Sequence, residues 1–311
     1  MIKKTLCFSN PAYLSLANKQ LVIKLPEVEK PDTVAEVIKR EAVRTIPIED
    51  IGVVVLDNKR ITITQAALNA LIANTAAVVT CDDRHIPSAM LLPLEGNTIH
   101  SERFRNQINA SLPLKKQLWQ QTVRAKILNQ HACLTRNTAD TGKRLLVLAQ
   151  DVKSGDSENC EAQAAVYYWR NLFPGIPDFV RDREGAPPNN LLNYGYAILR
   201  AIVARSLVVS GLLPVAGIHH RNRYNAYCLA DDIMEPYRPY VDQLVISVAA
   251  SRGPIPEEIS TELKREMLQI PVIDVKINSA HSPLMVAAGQ TAASLAKCFA
   301  GEARKIAYPE F

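Results

Sequence analysis

No two of the six cysteines (Cys7, Cys81, Cys133, Cys160, Cys228, Cys298) stand in a C-x-x-C spacing. Scattered in this way, they argue against a disulfide framework and against a zinc ribbon, and they fit a reducing cytoplasm. Nor is there a run of about 20 uninterrupted apolar residues, the length a membrane helix needs. The longest apolar stretch, 201–215, is broken by Arg205, Ser206, Ser210 and Gly211. The opening MIKKTLCFSNPAYL carries two lysines but no long apolar region and no small-residue cleavage site, so no secretory signal is expected. A P-loop, a dinucleotide glycine fingerprint and a nucleophile elbow are all missing, which leaves nucleotide-driven and acyl-transfer chemistry little support. There is no internal repeat and no low-complexity tract.

What is present is an ordinary globular composition, 48% hydrophobic and 22% charged over 311 residues, enough for one large domain or two ordinary ones. The net charge of +5 is uneven along the chain. Residues 101–150 hold nine Lys/Arg (Arg103, Arg105, Lys115, Lys116, Arg124, Lys126, Arg136, Lys143, Arg144) against Glu102 and Asp140. A local excess of this kind suits a polyanionic partner, although a solvated helix face would look the same.

The expected fold is α+β, with a small N-terminal β domain (1–100) followed by a larger all-α domain (101–311). In the first part, Leu21–Leu25, Ile51–Asp57, Arg60–Thr64 and Ala77–Cys81 are short β-branched runs between turn residues. Asp57-Asn58-Lys59 reads as a hairpin turn, and Gln65–Asn74 as a short helix. His85 and His100 are lone histidines in polar surroundings, read as surface residues. The boundary falls at the polar Glu95-Gly96-Asn97 turn.

Helical periodicity dominates beyond it. Leu114, Leu118, Ala125, Leu128 and Ala132 share one face, widened by Trp119, Val123 and Ile127. Lys115, Lys116, Arg124 and Lys126 are expected to leave that face. In the next helix Glu161, Ala165, Tyr168 and Leu172 fall at steps of four, three and four, which sets Glu161 on an apolar face. An uncompensated carboxylate there would cost several kcal/mol in order of magnitude. A cation, a hydrogen-bond network or a metal would offset it, as would a place at the helix start. The stretch LLNYGYAILRAIVARSLVVSGLL is apolar nearly all round, a core helix capped by Gly211. A last helix is expected from Ser282 and Pro283 to Cys298.

The densest chemistry lies between Gly217 and Pro239, GIHHRNRYNAYCLADDIMEPYRP. Asp232 and Glu235 are one helical turn apart, and His220 comes from the preceding loop. Two carboxylates and an imidazole begin a metal site that still lacks one oxygen donor. Arg238 would hold phosphate or brace one of the acids.

Four blocks, LWQQTVRAKILNQ (Leu118–Gln130), CEAQAAVYYW (Cys160–Trp169), PPNNLLNYGYAILRA (Pro187–Ala201) and PVAGIHHRNRYNAYCLADDIMEPYRP (Pro214–Pro239), together resemble the CRISPR-associated spacer-acquisition integrase, the Cas-one family. Lengths and spacings are most similar to its type II version. The resemblance implies a metal site of Glu161, His220 and Glu235, with Asp232 as a further possible ligand, holding Mg²⁺ or Mn²⁺. It lies in the C-terminal two-thirds, the N-terminal third matching only in β-rich character and length; Ala162 stands where many relatives have glycine, and His219 is an extra histidine beside the ligand position. The resemblance further implies a 3′-hydroxyl attack on a repeat phosphodiester, with nuclease behaviour when water attacks. Double-stranded DNA is the implied partner, contacted by Arg221, Arg223, Arg124 and Lys126. The implied assembly is a homodimer, two of which are bridged by a Cas-two dimer, with the β domain serving dimerisation and DNA contacts. Against this stand a DNA-binding scaffold without chemistry, in which the acids and His220 form a buried polar network, and a stand-alone metal-dependent repair nuclease.

Overall fold

The structure is a computed structural model, and it describes residues 3–25, 43–83, 87–93, 97–176 and 178–311. His85, Glu95 and Gly96 lie outside the described residues. The chain divides into two compact units, Met1–Leu94 and Glu95–Phe311. The fold is mixed α+β: the first unit is built on strands, and the second is helical apart from one hairpin.

The first unit holds β1 (Lys4–Phe8), β2 (Ala12–Ala17), β3 (Gln20–Lys24), β4 (Val43–Pro47), β5 (Ile51–Leu56), β6 (Ile61–Ile63), α1 (Gln65–Ala73), β7 (Ala77–Cys81) and β8 (Pro87–Leu91). The strands form two sheets, ordered β1-β5-β7-β8 and β4-β3-β2-β6. β5, reading IGVVVL, lies between two parallel neighbours and is buried along nearly all its length, which is why its sequence is apolar without alternation. Helix α1 is capped by the Thr64 hydroxyl and buries Ala67 and Leu71 with Leu14, Val54 and Val78.

The expected hairpin at Asp57-Asn58-Lys59 does not form. β5 pairs with β1 and β7, whereas β6 pairs with β2 in the other sheet. The Asp57 N–H is taken by Phe8 O, and Asn58 donates to Ser9 O while accepting from the Arg60 N–H. These bonds turn the chain out of one sheet and into the next.

The second unit runs α2 (His100–Ile108), α3 (Leu112–Asn137), α4 (Lys143–Asp151), α5 (Cys160–Leu172), α6 (Asn189–Val209), α7 (Cys228–Met234), a 3₁₀ turn (Glu235–Tyr237), α8 (Arg238–Arg252), α9 (Thr261–Met267), the hairpin β9 (Asp274–Ile277) and β10 (Ala280–Pro283), and α10 (Leu284–Phe299). The last helix thus begins one residue later than expected, with Ser282 in β10. Helix α6 is the centre, packed by α7, α8 and α10. It is long and apolar enough to cross a membrane by length and composition, but 72% of that window is buried inside the protein. Gly211 ends it at φ +76°, with its N–H bonded to Val208 O, a conformation that suits glycine. In α2, His100 is half-buried and its Nε2 accepts the Asn97 N–H.

Helix α3 packs on α4, α5, α8 and the 3₁₀ turn. Its buried face is the expected one only in part: Leu118, Trp119, Val123 and Ile127 are buried as expected. Leu118, Trp119, Thr122, Val123, Lys126, Ile127, Asn129, Gln130, Cys133 and Leu134 point inward, while Leu128 is exposed. The expected stripe counted only apolar letters, and the helix also buries a row of polar ones.

Candidate active site

Three segments of the second unit build the site: the middle of α3, the start of α5, and the loop and helix from Gly217 to Arg238. The start of α5 is fixed by Asp156, whose carboxylate accepts the N–H groups of Cys160 and Glu161 at 2.9 and 3.0 Å. Two free helix-end donors are thereby satisfied, and Glu161 is presented on the first turn.

Between Gly217 and Tyr227 the chain wraps around Asp232 of α7. This carboxylate is fully buried and accepts the N–H groups of Ile218, His219 and His220 at 2.7, 3.0 and 3.2 Å. The same carboxylate holds His220 Nδ1 at 2.6 Å. The ring is thereby fixed in direction, with Nε2 as its remaining nitrogen. The Asp232 hydrogen bond raises the His220 pKa above its ordinary value, against the opposing effect of burial, and the charges of Glu235 and Glu161 add to the rise. Beside it, His219 stacks flat on Trp119 at 4.2 Å between ring centres, and burial lowers its pKa. The loop is tied a second time through Asp231, which pairs with Arg200 at 2.6 Å and accepts from Asn225 at 2.7 Å.

Gly217 is required where the loop closes. A Cβ there would meet His220 O at 2.4 Å and Asp232 Oδ2 at 2.9 Å. The Gly217→Ala variant should therefore stay folded but lose about 1–3 kcal/mol to overpacking. Because it displaces the carboxylate that orients His220, the DNA joining that the sequence resemblance implies should fall by about 10–100-fold. Unfolding curves and a joining assay check this, and unchanged joining would mean that the loop does not position His220.

Glu235 follows Asp232 by one turn and is buried, as expected for neighbours on one face. Its partners are cations. Arg238 Nε lies 2.9 Å from Oε1, and Lys126 Nζ lies 2.6 Å from Oε2. The same Lys126 ammonium is 2.6 Å from Glu161 Oε1. One lysine of α3 thus joins the glutamate of α5 to the glutamate of the 3₁₀ turn. Burial pushes the Glu235 pKa up, but Arg238 and Lys126 outweigh it and hold the carboxyl below its usual range. Burial likewise pulls Lys126 down, and Glu235 and Glu161 outweigh it in the upward direction.

The expected site residues are therefore partly rearranged. Glu161 and Glu235 do meet, but on the Lys126 ammonium. Among the described residues, no three His, Cys, Asp or Glu side chains are close enough to hold an ion as they stand. Asp232, expected as a possible ligand, spends its oxygens on three backbone N–H groups and His220. Lys126, expected at a DNA-binding surface, is buried with its amine between two carboxylates. Arg124, Arg221 and Arg223 are exposed. Arg223 lies over the Tyr224 ring and bonds its hydroxyl, while Arg124 faces the groove shared with Arg304 and Lys305. Arg238, read as either a phosphate holder or a brace, braces Glu235 and also lies over the Tyr196 ring.

The family model of CRISPR-associated protein Cas1 matches residues 6–269, most of the chain. The chain belongs to the Cas1 family. It is 36% identical over 288 residues to the CRISPR-associated endonuclease Cas1 of Neisseria meningitidis serogroup C strain 8013, covering 92% of this chain and 89% of that one. Among solved structures, a casposase bound to its integration product superposes with a TM-score of 0.79 at 20% identity, over 99% of this chain and 94% of that one. A Cas6-RT-Cas1–Cas2 complex gives 0.74 at 20% identity, over 98% of this chain and 36% of that one. These two likenesses concern the fold.

The Cas1 family implies a divalent metal, and the residues present fit one. Two carboxylates from separate elements already share a single cation, the Lys126 ammonium. The buried Glu235 Oε2 has that ammonium nearby but no hydrogen bond of proper geometry. His220 has one nitrogen committed to Asp232, the arrangement that metal-binding histidines ordinarily show. Two hard oxygens with one imidazole suit Mg²⁺ or Mn²⁺ better than zinc.

Proposed function

We propose that the protein is a metal-dependent DNA endonuclease and integrase of CRISPR adaptation, most like the type II version, which inserts short DNA fragments into a repeat array. The observation that carries this reading is the pair of carboxylates drawn from α5 and the 3₁₀ turn onto one cation, beside a histidine fixed by a buried aspartate. Glu161, Glu235 and the free nitrogen of His220 would hold Mg²⁺ or Mn²⁺, which polarises a scissile phosphate and assists an oxygen nucleophile.

The chain's own groups do the rest. Asp232 keeps the His220 ring in place, and Arg238 keeps Glu235 ionised and aimed. Arg221, Arg223 and Arg124 hold backbone phosphates without reading bases. The 3′-hydroxyl of the incoming DNA would give up its proton to solvent and form a new P–O bond as the old P–O bond breaks, and the leaving 3′ oxygen would take up a proton in return. The relative from Neisseria meningitidis is named an endonuclease, and the casposase neighbour was solved on an integration product, both in keeping with this chemistry. The partners are double-stranded DNA and Cas2, the latter in keeping with the Cas6-RT-Cas1–Cas2 neighbour; the arrangement proposed is a Cas2 dimer bridging two homodimers of this chain. Dimerisation and further DNA contacts fall to the N-terminal unit, and the protein works in the cytoplasm.

The test is the joining of a labelled short duplex into a repeat-containing plasmid, with Mn²⁺ or with EDTA, and with or without the Cas2 partner. Joined product should form with Mn²⁺ and be lost in EDTA. Equal joining in EDTA would sink the metal dependence. A second reading is favoured by the ion-pair network itself: a DNA-binding scaffold in which Lys126 and the acids serve only the fold. That reading expects no joining under any condition.

A further inference from the structure

The buried position of Lys126 is unusual for the residue type, since a lysine is almost never fully buried unless paired. The pairing here is with two carboxylates at once, each at 2.6 Å. Metal–oxygen bonds to Mg²⁺ are shorter still, about 2.0–2.1 Å, so a bridging metal would need the carboxylates at least as close as they now stand. An ammonium in contact with both glutamates therefore occupies the space that a metal bridging them would need. Two cations side by side in a site of low dielectric repel strongly, so the two occupants exclude each other.

Charge count points the same way. Glu161 and Glu235 supply two negative charges, and Lys126 and Arg238 supply two positive ones. The cluster is balanced without metal, and a divalent ion added to it unchanged would leave it in excess. Arg238 is held in place by its stacking over Tyr196 as well as by Glu235. Lys126 has a flexible stem and no ion-pair partner besides the two glutamates among the described residues. Lysine is the member free to move, and the Glu161 side chain, 24% exposed, marks the open side of the cluster.

We propose that Lys126 is an internal counter-ion that holds Glu161 and Glu235 together in the metal-free protein and is displaced when a divalent cation enters. This rests on the metal-site reading above and deepens it. The ammonium keeps two carboxylates from repelling each other and preserves the site's shape, while it lowers the affinity of the free protein for metal.

The experiment is calorimetric titration of Mn²⁺ into the DNA-free full-length protein, with melting curves in EDTA and in Mn²⁺. Three variants are compared with the wild type: Lys126→Met, Lys126→Gln and Glu161→Ala. Both Lys126 variants should bind Mn²⁺ at least about tenfold more tightly, since mutually exclusive occupants are coupled through one site. They should melt lower in EDTA and gain more from Mn²⁺ than the wild type does. Lys126→Gln keeps one donor for the carboxylates, so it preserves the comparison where Lys126→Met does not fold. A merely structural lysine predicts that its loss loosens the site and weakens Mn²⁺ binding. Mn²⁺ affinity that depends on Glu161 but is equal or weaker in the folded Lys126 variants would overturn the counter-ion alone. Wild-type binding that does not depend on Glu161 would overturn the metal reading and this inference with it.

Discussion

Replacing either glutamate with alanine should abolish DNA joining, but only one of the two replacements should strongly destabilise the fold. The difference comes from how Lys126 and Arg238 are shared. Glu235→Ala removes the carboxylate that both cations face, at 2.6 Å for Lys126 and 2.9 Å for Arg238. Lys126 would keep Glu161, which is on the open side of the cluster, and Arg238 would be left with no acidic partner in salt-bridge contact. Breaking a buried ion pair from one side costs about 3–5 kcal/mol, because a charge remains without compensation. Glu161→Ala leaves Lys126 its contact with Glu235, so its cost should be about 1 kcal/mol or less, as for a partly exposed pair. Denaturant unfolding in EDTA measures both. The chain has two tryptophans, Trp119 and Trp169, both in the second unit, so their fluorescence reports on the unit that holds the site. Joining should be at background for both variants when assayed with Mn²⁺. A Glu161→Ala variant that still joins DNA would remove this residue from the site. Equal stability losses for the two would mean that Lys126 depends on both carboxylates alike.

That contrast rests on a residue whose placement was hard to read from the sequence, while the acids themselves were legible. Asp232 and Glu235 stand one turn apart after a histidine loop, and Glu161 stands out as a carboxylate on an apolar helix face. The one-turn spacing of Asp232 and Glu235 survives in the structure because it is a local matter of helical spacing, whereas Glu161 is half-buried beside a buried stripe of Cys160, Ala164, Tyr168 and Leu172. Apolar letters alone would set the α3 face so that Lys126 points outward. A polar row was there to be seen: Thr122, Lys126, Asn129 or Gln130, and Cys133 recur at helical steps of three and four. Thr122, Lys126 and Asn129 find their partners far along the chain. The Thr122 hydroxyl meets Tyr308, and Asn129 donates to Pro236 O and Pro309 O. Such partners are set by tertiary packing, which periodicity cannot supply. The crossing at Asp57 was missed for a related reason. A turn sequence shows that the chain bends, but not that the next strand joins a different sheet.

One further buried acid lies outside the cluster and makes stability depend on pH. Asp242 of α8 is almost fully buried, and it accepts hydrogen bonds from Tyr168 of α5, at 2.9 Å, and from Tyr196 of α6. Burial is the largest influence on it and raises its pKa from 3.8 to about 7; the two tyrosine bonds, Arg238 and Arg181 oppose the rise without cancelling it. The other titratable group facing it is Cys133 of α3, whose thiol is itself pushed up to about 12 by burial first and Asp242 second. In the unfolded chain the carboxyl returns to its ordinary range, so between these limits the folded state binds the extra proton. The stabilisation is fully present below about pH 4 and is lost as pH rises through about 7. A shift of about three units corresponds to about 4 kcal/mol at most. Asp242→Asn keeps the shape and an acceptor for one tyrosine but has no proton to release. The wild type should therefore lose stability from pH 5 to pH 8 by more than Asp242→Asn does, with the two curves diverging most steeply between about pH 5 and pH 6 and levelling off above about pH 7. Urea unfolding followed by tryptophan fluorescence at pH 5, 6, 7 and 8 measures the divergence. Parallel curves would mean that Asp242 is already ionised in the folded protein at pH 5, with its charge carried by Arg238 and Arg181 in spite of burial.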